Sequence, residues 1–446
     1  MSKFIDRPRY LCSLGGAIST LKVLPGAVPI IHAAAGCGGN FANALNGAAG
    51  YMGSGYCGGQ ALPSSNIHEQ EIVFGGEERL AEQISNTLDI VDGELYFVVS
   101  GCMVDVIGDD TVGVAKRFQQ EGKPVLGAET GGFKGNSYKG YEIVLSTLFR
   151  EFVEKQPVKD QETVNIFGVV PLQDVFWKGN LNVLKDLLSK LGFKVNTFFG
   201  ERETLDNLRQ AGAARLNIVV SDVYGVESAQ VFEETHNVPY LIASLPVGPT
   251  GTEAFLRQVS AALGVDKQRT EAVITAEKSR YYSYVERMAD VYNDLDLQRY
   301  SVVVADVNYA TAITRFLADD LGWLPELVVI TDILNEEEEN RVRNRFVGFH
   351  SGIQPQVFFD TDTSNVTKHF QKVWPQNNNN RYFDSFSPAF VLGSSLERDF
   401  ANSLGAPHLS VAYPVSNRVV LDRAYAGYTG GLRLTEDIFA LLVGNR

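Results

Sequence analysis

Short apolar runs recur along the chain and alternate with longer amphipathic segments. Residues 95–100 (LYFVVS), 216–221 (LNIVVS) and 300–306 (YSVVVAD) are examples. Runs that are apolar throughout, and not only at every second residue, are typical of strands covered on both faces, as in parallel sheets. Strand–helix alternation along the whole chain therefore predicts an α/β protein with parallel sheets and right-handed crossovers.

The alternation falls into three similar blocks, and a chain of 446 residues is long enough for two or three domains. A polar connector at 156–161 separates the first two blocks, and the third begins at residue 300. The predicted strands are 28–31, 95–100, 123–127, 164–170, 193–199, 216–221, 240–243, 300–306, 327–331, 357–360 and 389–393. The predicted helices are 77–91, 109–121, 138–155, 180–191, 252–263, an unusually long 268–299, and 435–443.

Composition narrows the class of function. The formal net charge of −14 argues against a nucleic-acid partner, which would need basic stripes. No run approaches the roughly 18 apolar residues of a membrane span, and the N-terminus lacks the apolar core of a signal peptide. The four cysteines all lie before residue 103. Clustered thiols without an export signal predict a cytoplasmic protein whose cysteines serve metals or catalysis and form no disulfides.

Three of these cysteines, Cys12, Cys37 and Cys102, stand on or beside breaks rich in glycine or small residues. Such breaks expose backbone N–H groups and let a bulky group approach the chain. Cys37 and Cys102 also follow predicted strands, at the carboxyl-end positions where parallel sheets collect ligands. The fourth, Cys57, lies in a glycine-rich stretch and is interpreted as a pocket-lining or buried residue, with a ligand role as the alternative.

Two interpretations of the three thiols compete. Free cysteines are often simply small buried hydrophobic residues. Thiolates are also the preferred ligands of iron–sulfur clusters, whereas structural zinc sites use four ligands, commonly in Cys-x-x-Cys pairs that this chain lacks. Three ligands are one short for a common cluster held by one chain. A cluster shared across a subunit interface, or completed by another type of ligand, is the hypothesis that follows.

Several motifs together resemble the nitrogenase component 1 family, in order and approximate spacing, over essentially the whole chain. They are His32-x3-Gly36-Cys37, Val73-Phe-Gly-Gly76, Ser100-Gly-Cys102, Ile107-Gly-Asp-Asp110, Phe133-x-Gly135, Gly140-Tyr141, Leu245-Pro-Val-Gly248, Thr252-Glu-Ala-Phe255, Tyr413-Pro-Val-x3-Arg418 and Gly427-Tyr-x-Gly430.

The resemblance implies three Rossmann-like domains, here 1–160, 161–299 and 300–446, in a complex of two α-like and two β-like subunits. It implies that a separate iron protein hydrolyses ATP, docks over the subunit interface and supplies electrons. In the family, three cysteines of each subunit hold the P-cluster at that interface, and they match Cys12, Cys37 and Cys102. The cluster would be P-cluster-like (8Fe–7S) or a simpler 4Fe–4S cluster shared with the sister subunit.

By the same resemblance, Gly36 and Gly101 would be the residues that let the cluster approach the backbone. Two departures from the family pattern bear on the activity. No cysteine follows Cys102, so the chain cannot hold the active-site cofactor as catalytic α subunits do. It resembles the β-type partner, or a member of the family with an altered active site. Nitrogenase β subunits carry Pro-Ser-Phe where this chain has Thr130-Gly-Gly-Phe133, so their extra serine ligand does not carry over.

The predicted function is an electron-transferring subunit of an ATP-dependent, nitrogenase-like reductase, with the active-site cofactor in the sister chain and methylthio-alkane C–S bonds as a candidate substrate. The alternatives are a β subunit of a nitrogen-fixing nitrogenase and a scaffold that matures a cofactor precursor. A third class is a metal-free sugar- or nucleotide-binding protein, although the chain has no dinucleotide or Walker fingerprint.

Other polar residues receive structural interpretations. His32 is predicted to be a structural histidine bonded to the backbone, and not a ligand. His68 and Glu69 are predicted to open a helix before Phe74, with a position facing a cavity as the alternative. Asp109 and Asp110 are predicted to cap the helix that follows, with orientation of the Cys102 loop as the alternative. The acidic run at 336–339 is predicted to be a solvated face.

Overall fold

The chain folds into three parallel sheets flanked by helices, as the computed structural model shows for residues 5–51, 62–294, 297–374 and 389–444. The α/β fold class with parallel sheets is confirmed. The first sheet has the order β1-β2-β3, the second β5-β4-β6-β7 and the third β10-β9-β8-β11-β12. The strands are β1 Ala27–His32, β2 Leu95–Ser100, β3 Val125–Ala128, β4 Asp160–Phe167, β5 Lys194–Asn196, β6 Ala214–Val219, β7 Tyr240–Ile242, β8 Tyr300–Ala305, β9 Leu324–Ile330, β10 Gln356–Phe359, β11 Ala389–Gly393 and β12 His408–Ser410.

Helices cover the sheets and connect their strands. They are α1 Ser13–Lys22, α2 Ala35–Ala48, α3 Glu69–Phe74, α4 Glu77–Ile90, α5 Cys102–Ile107, α6 Thr111–Gln120, α7 Ser137–Glu151, α8 Trp177–Lys190, α9 Leu205–Arg209, α10 Val226–His236, α11 Gly248–Leu263, α12 Lys267–Val285, α13 Ala289–Asp294, α14 Val307–Arg315, α15 Glu336–Arg343, α16 Val366–Val373, α17 Arg398–Ser403 and α18 Gly427–Gly444. No helix of the described ranges combines the length and apolar character that a membrane crossing needs. The domain limits at 160 and 299 stay a prediction.

The position of strand β2 between two cores explains why its sequence is apolar almost throughout. Leu95, Phe97 and Val99 point into the large core that α1 and α7 cover. Tyr96 and Val98 point the other way, into a smaller core with residues of α4 and α6. Because both faces of the strand are buried, every side chain gains from being apolar.

Helices α1 and α2 differ from the sequence-based expectation. The sequence predicts a backbone break at residues 36–39, yet they lie in the first turns of α2. Every residue of α1 is buried, including its glycines and hydroxyl side chains. A Cβ on Gly16 would stand 1.8 Å from the Ser137 carbonyl oxygen, and one on Gly140 2.0 Å from that of Ser13. The glycines therefore let α1 and α7 pack backbone against backbone.

Of the predicted helices, two differ most from their expected limits. The long helix expected at 268–299 ends at Val285, continues as a 3₁₀ turn over Glu286–Met288, and resumes as α13. The last helix, expected from residue 435, already begins at Gly427. Its first turns contain three glycines, which are poor helix formers, so helix propensity does not predict that the helix begins there.

Candidate functional site

The three cysteines singled out by the sequence all stand at the beginning of a helix. Cys12 immediately precedes α1, Cys37 lies in the first turn of α2, and Cys102 is the first residue of α5. Helices α2 and α5 follow the carboxyl ends of the paired strands β1 and β2. The first sheet therefore presents Cys37 and Cys102 on one edge.

Gly132 lies between the thiols of Cys12 and Cys102. A Cβ on Gly132 would stand 3.0 Å from the Sγ of Cys102 and 3.4 Å from the Sγ of Cys12. The backbone N–H of Gly132 donates a hydrogen bond to the Sγ of Cys102 over 3.0 Å. The two sulfurs thus border one small space that any side chain at position 132 would fill.

Cys37 belongs to the same group of thiols. Burial raises the pKa of Cys37, and the neighbouring Cys12 and Cys102 raise it further. Cys12 and Cys37 are half-buried, Cys102 is exposed, and all three are free thiols. The fold therefore brings together, at its surface, three cysteines that are 25 and 65 residues apart in the sequence. We call Cys12, Cys37 and Cys102 the thiol trio.

The donor atoms of the thiol trio are of the kind that iron–sulfur clusters use. Sulfur is the donor that iron–sulfur clusters prefer, and the Gly132 N–H supplies a hydrogen bond that offsets negative charge on sulfur. The donor set fits such a group.

The two glycines expected beside the cluster have different surroundings. A Cβ on Gly101 would lie 2.6 Å from the Cβ of Ala33, so packing between neighbouring loops already requires glycine there. A Cβ on Gly36 would meet nothing within 4 Å. Open space at Gly36, next to Cys37, leaves room for a bulky group. A cluster-binding role for Gly36 and Gly101 stays a prediction.

His32 is a buried structural histidine, but its ring is bonded to side chains and not to the backbone. Its Nε2 donates to the Asp109 carboxylate over 3.0 Å, and its Nδ1 accepts from the Ser65 hydroxyl over 2.9 Å. Burial lowers the pKa of His32, which favours the neutral ring that these bonds require. Asp109 also accepts from the Gly76 N–H, so it links β1, the start of α4 and the loop after α5.

Asp110, and not Asp109, caps α6, the helix that follows α5. The Asp110 carboxylate accepts from the Gly113 N–H at the start of α6, as expected of a cap. His68 and Glu69 open α3, as predicted. The acidic run Glu336, Glu337, Glu338 and Glu339 forms the first turn of α15, where it lies partly or fully in solvent. Cys57 lies outside the described residues.

Exposed apolar side chains flank the thiol trio. Val106 is in α5, which begins with Cys102, and 75% of its surface is exposed. Phe133 follows Gly132 and is 63% exposed. Sequence reasoning missed both residues and Gly132, although the departure at Thr130-Gly-Gly-Phe133 was the available signal. Apolar groups in solvent around a polar site are typical of a surface that a partner covers.

The fold and the site define a three-sheet parallel α/β protein with three free thiols grouped on an exposed, partly apolar edge. Residues 12–442 match the family model of the nitrogenase component 1 type oxidoreductases. The chain belongs to that family, whose members are oxidoreductases.

Individual relatives have different named activities. The chain is 27% identical to the nitrogenase molybdenum-iron protein alpha chain of Methanosarcina barkeri, over 58% of this chain and 49% of that protein. It is 23% identical to the corresponding beta chain of Methanococcus maripaludis, over 97% and 93%. It is 22% identical to a light-independent protochlorophyllide reductase subunit from Staurastrum punctulatum, over 85% and 73%.

A solved structure shares the fold. The structure described as nitrogenase Cp1 at pH 6.5 superposes with a TM-score of 0.78 at 16% identity, covering 100% of this chain and 94% of that one. At this identity the likeness establishes the fold alone.

Proposed function

We propose that this chain is the electron-relaying, β-type subunit of an ATP-dependent, nitrogenase-like reductase. The observation that carries the proposal is the grouping of Cys12, Cys37 and Cys102 at an exposed edge of the first sheet, with Gly132 between the thiols of Cys12 and Cys102. A surface site with three soft ligands is half of what a cluster shared between two chains requires. The same thiols in three separate apolar interiors would have supported the interpretation as small hydrophobic residues.

The thiol trio would hold a P-cluster-like or 4Fe–4S cluster, and that group, when bound, supplies one-electron redox chemistry. The chain's own residues set its surroundings. The Gly132 N–H bond to Cys102 stabilises negative charge on the sulfur, and the half-buried state of Cys12 and Cys37 limits water access. Hydrogen bonds to sulfur and solvent exposure are two of the features that determine a cluster's potential.

The partner that completes the site is an α-like sister subunit. Three ligands on an open surface leave part of a cluster without protein donors. Val106 and Phe133 are exposed on the segments that carry Cys102 and Gly132, so an apolar partner surface would cover them and exclude water. Relatives named as alpha and beta chains both resemble this chain, as expected for paired homologous subunits. A separate iron protein would hydrolyse ATP and deliver the electrons.

The substrate would be reduced on a cofactor housed mainly in the sister chain. We propose the C–S bond of a methylthio-alkane, whose cleavage takes two electrons and two protons and gives an alkane and methanethiol. The glycines at 131–132, where nitrogenase β subunits carry Pro-Ser, support a reductase other than a nitrogen-fixing one. A nitrogenase β subunit is the second candidate, because the likeness to a nitrogenase beta chain extends over 97% of this chain.

The test uses the co-purified complex with its iron protein and ATP. We expect a brown complex with stoichiometric iron that releases methanethiol from a methylthio-alkane over many turnovers. Ammonia from dinitrogen would establish the second candidate instead. A scaffold would transfer its cluster once to an apo-acceptor and then stop. A colourless complex without iron would contradict the proposal and favour a metal-free function.

A further inference from the structure

The segment before Cys12 contacts loops of the third sheet, more than 300 residues away in the sequence. The backbone N–H groups of Asp6 and Arg7 donate to the Asp362 carboxylate over 2.8 and 3.2 Å. The Tyr10 hydroxyl bonds to the hydroxyl of Thr331, the residue after β9. Residues 6–10 thus cross the loops at the carboxyl ends of β9 and β10. We call residues 6–10 the N-terminal strap.

Arg9 is the buried anchor of the N-terminal strap. Its Nη2 contacts Glu397 Oε1 at 2.6 Å, and both side chains are 1% exposed. Its Nη1 donates to the hydroxyl of Ser394, the residue after β11, over 2.7 Å, and to the Tyr413 carbonyl over 3.4 Å. A buried guanidinium with this many acceptors is held in one place, since its planar donors have fixed directions.

Immediately after the strap, the chain changes sheets. Ser13 donates from its backbone N–H to the Gly135 carbonyl over 3.0 Å and from its hydroxyl to the Gly131 carbonyl over 2.7 Å. Helix α1 then packs on α7 beside the first sheet. Cys12 therefore stands at the crossing, with the third sheet holding the residues before it and the first sheet holding those after it.

The other two thiols are placed differently. Cys37 and Cys102 follow the paired strands β1 and β2 and are carried by the first sheet. Cys12, by contrast, follows directly on residues whose hydrogen bonds and ion pair lie on loops of the third sheet. We propose that Arg9, held by Glu397 and Ser394, is a positioning residue for the Cys12 thiolate. The third sheet would thereby determine how one of the three ligands meets the cluster.

This inference deepens the proposed function and rests on it. Removing the Arg9 side-chain charge would leave Glu397 buried without its cation and remove the strap's buried anchor three residues before Cys12. The backbone bonds of Asp6 and Arg7 to Asp362 would remain. Cys37 and Cys102 would keep their places, so we expect a changed cluster and not an absent one. Arg9→Lys retains a cation for Glu397 but cannot reach Ser394 and Tyr413 in the same geometry, so its effect should be intermediate.

The experiment compares Arg9→Met, Arg9→Lys and Glu397→Gln in the co-purified complex. Arg345→Met is the matched control, because Arg345 forms a two-point ion pair with the buried Asp222 and so joins a loop of the second sheet to one of the third. The readouts are iron per complex, the electron paramagnetic resonance spectrum and the cluster's midpoint potential, with the melting temperature beside them. We expect a changed spectrum and a shifted potential in Arg9→Met and Glu397→Gln, a smaller shift in Arg9→Lys, and the wild-type spectrum in Arg345→Met.

The outcomes separate the two proposals. A wild-type spectrum and potential in Arg9→Met, with a melting temperature lowered as in Arg345→Met, would show a purely structural role and overturn the inference. A wild-type complex without iron would instead overturn the proposed function, and the inference with it. If Arg9→Met does not yield a complex, Arg9→Lys and Glu397→Gln decide by the same comparison with Arg345→Met.

Discussion

The backbone N–H of Gly132 donates to the Sγ of Cys102 across 3.0 Å, and a side chain at Gly132 would begin at the same distance from that sulfur. Two properties of one glycine therefore act on one thiol. The N–H stabilises negative charge on the sulfur, and the missing side chain keeps space open between Cys102 and Cys12. This arrangement is what a thiolate ligand at a bulky inorganic group requires.

Gly132→Ala should disturb the cluster. Its new carbon would stand 3.0 Å from Cys102 Sγ and 3.1 Å from Cys12 Cβ, so the two cysteines must move apart. We expect a loss of iron and an altered resonance spectrum in the purified complex. Gly39→Ala is the control, since a Cβ there meets nothing within 4 Å. Equal iron and equal spectra in the two variants would contradict the account of this space.

The exposed apolar residues beside the thiol trio should be needed for subunit assembly. Phe133→Asp places a charge where the sister chain would cover the surface, so we expect at least roughly tenfold weaker association, equivalent to about 1.4 kcal/mol. Val158→Asp is the control, because Val158 is 78% exposed in the loop between α7 and β4. Co-purification and titration with the sister subunit measure the effect. Association that is equally tight in both variants would place the interface elsewhere.

Asp109 should contribute more to stability than its neighbour Asp110. Asp109→Ala leaves the His32 Nε2–H and the Gly76 N–H buried without their acceptor, at a cost of about 3 kcal/mol in the free energy of unfolding. Asp110→Ala removes only an exposed helix cap, which costs about 1 kcal/mol. Urea unfolding of both variants measures the difference. Equal losses would show that the buried network adds nothing beyond capping.

The buried carboxyl group of Glu142 should make stability depend on pH. Burial raises the pKa of Glu142 to about 7 from an ordinary 4.5, against the hydrogen bonds from Ser228 and Gly225. The folded protein then binds this proton more tightly than the unfolded chain does. The resulting stabilisation is present below pH 4.5 and is lost as the pH rises to about 7, by about 3 kcal/mol.

Glu142→Gln should abolish this slope, whatever constant offset its altered hydrogen bonds add. Glu82→Gln is the control, because Glu82 forms an exposed ion pair with Arg79 in α4. The free energy of unfolding of both variants, measured from about pH 4.5 to 7.5, tests the expectation. A difference between wild type and Glu142→Gln that does not vary with pH would contradict it.

Much of the fold was predictable because strands buried on both faces leave a continuous apolar signature. Residues 95–100 and 389–393 have the predicted limits. Helix α1 was not predicted because Gly16 is required by backbone contact with Ser137 in α7, a long-range demand that local helix propensity opposes. The end of α12 at Val285 was not predicted either, because no proline or glycine marks it in the sequence.

For the candidate site, the sequence indicated residue types but not their arrangement. Cysteine clustering and the resemblance indicated the thiol trio, but spacing carries no information on which sulfurs meet. The sequence does not indicate Gly132, because its role depends on the contact between the loop after β3 and Cys102 in the folded chain. The ion pair between Arg9 and Glu397 joins residues 388 positions apart, so no local sequence pattern predicts it.

Iron analysis of two cysteine variants tests the central claim most directly. In the co-purified complex, Cys102→Ala should remove most of the interface iron and its resonance signal, because it deletes one of three thiolates at an exposed edge. Cys57→Ala should leave both largely intact. Unchanged iron and an unchanged signal in Cys102→Ala would contradict the assignment of the thiol trio as cluster ligands.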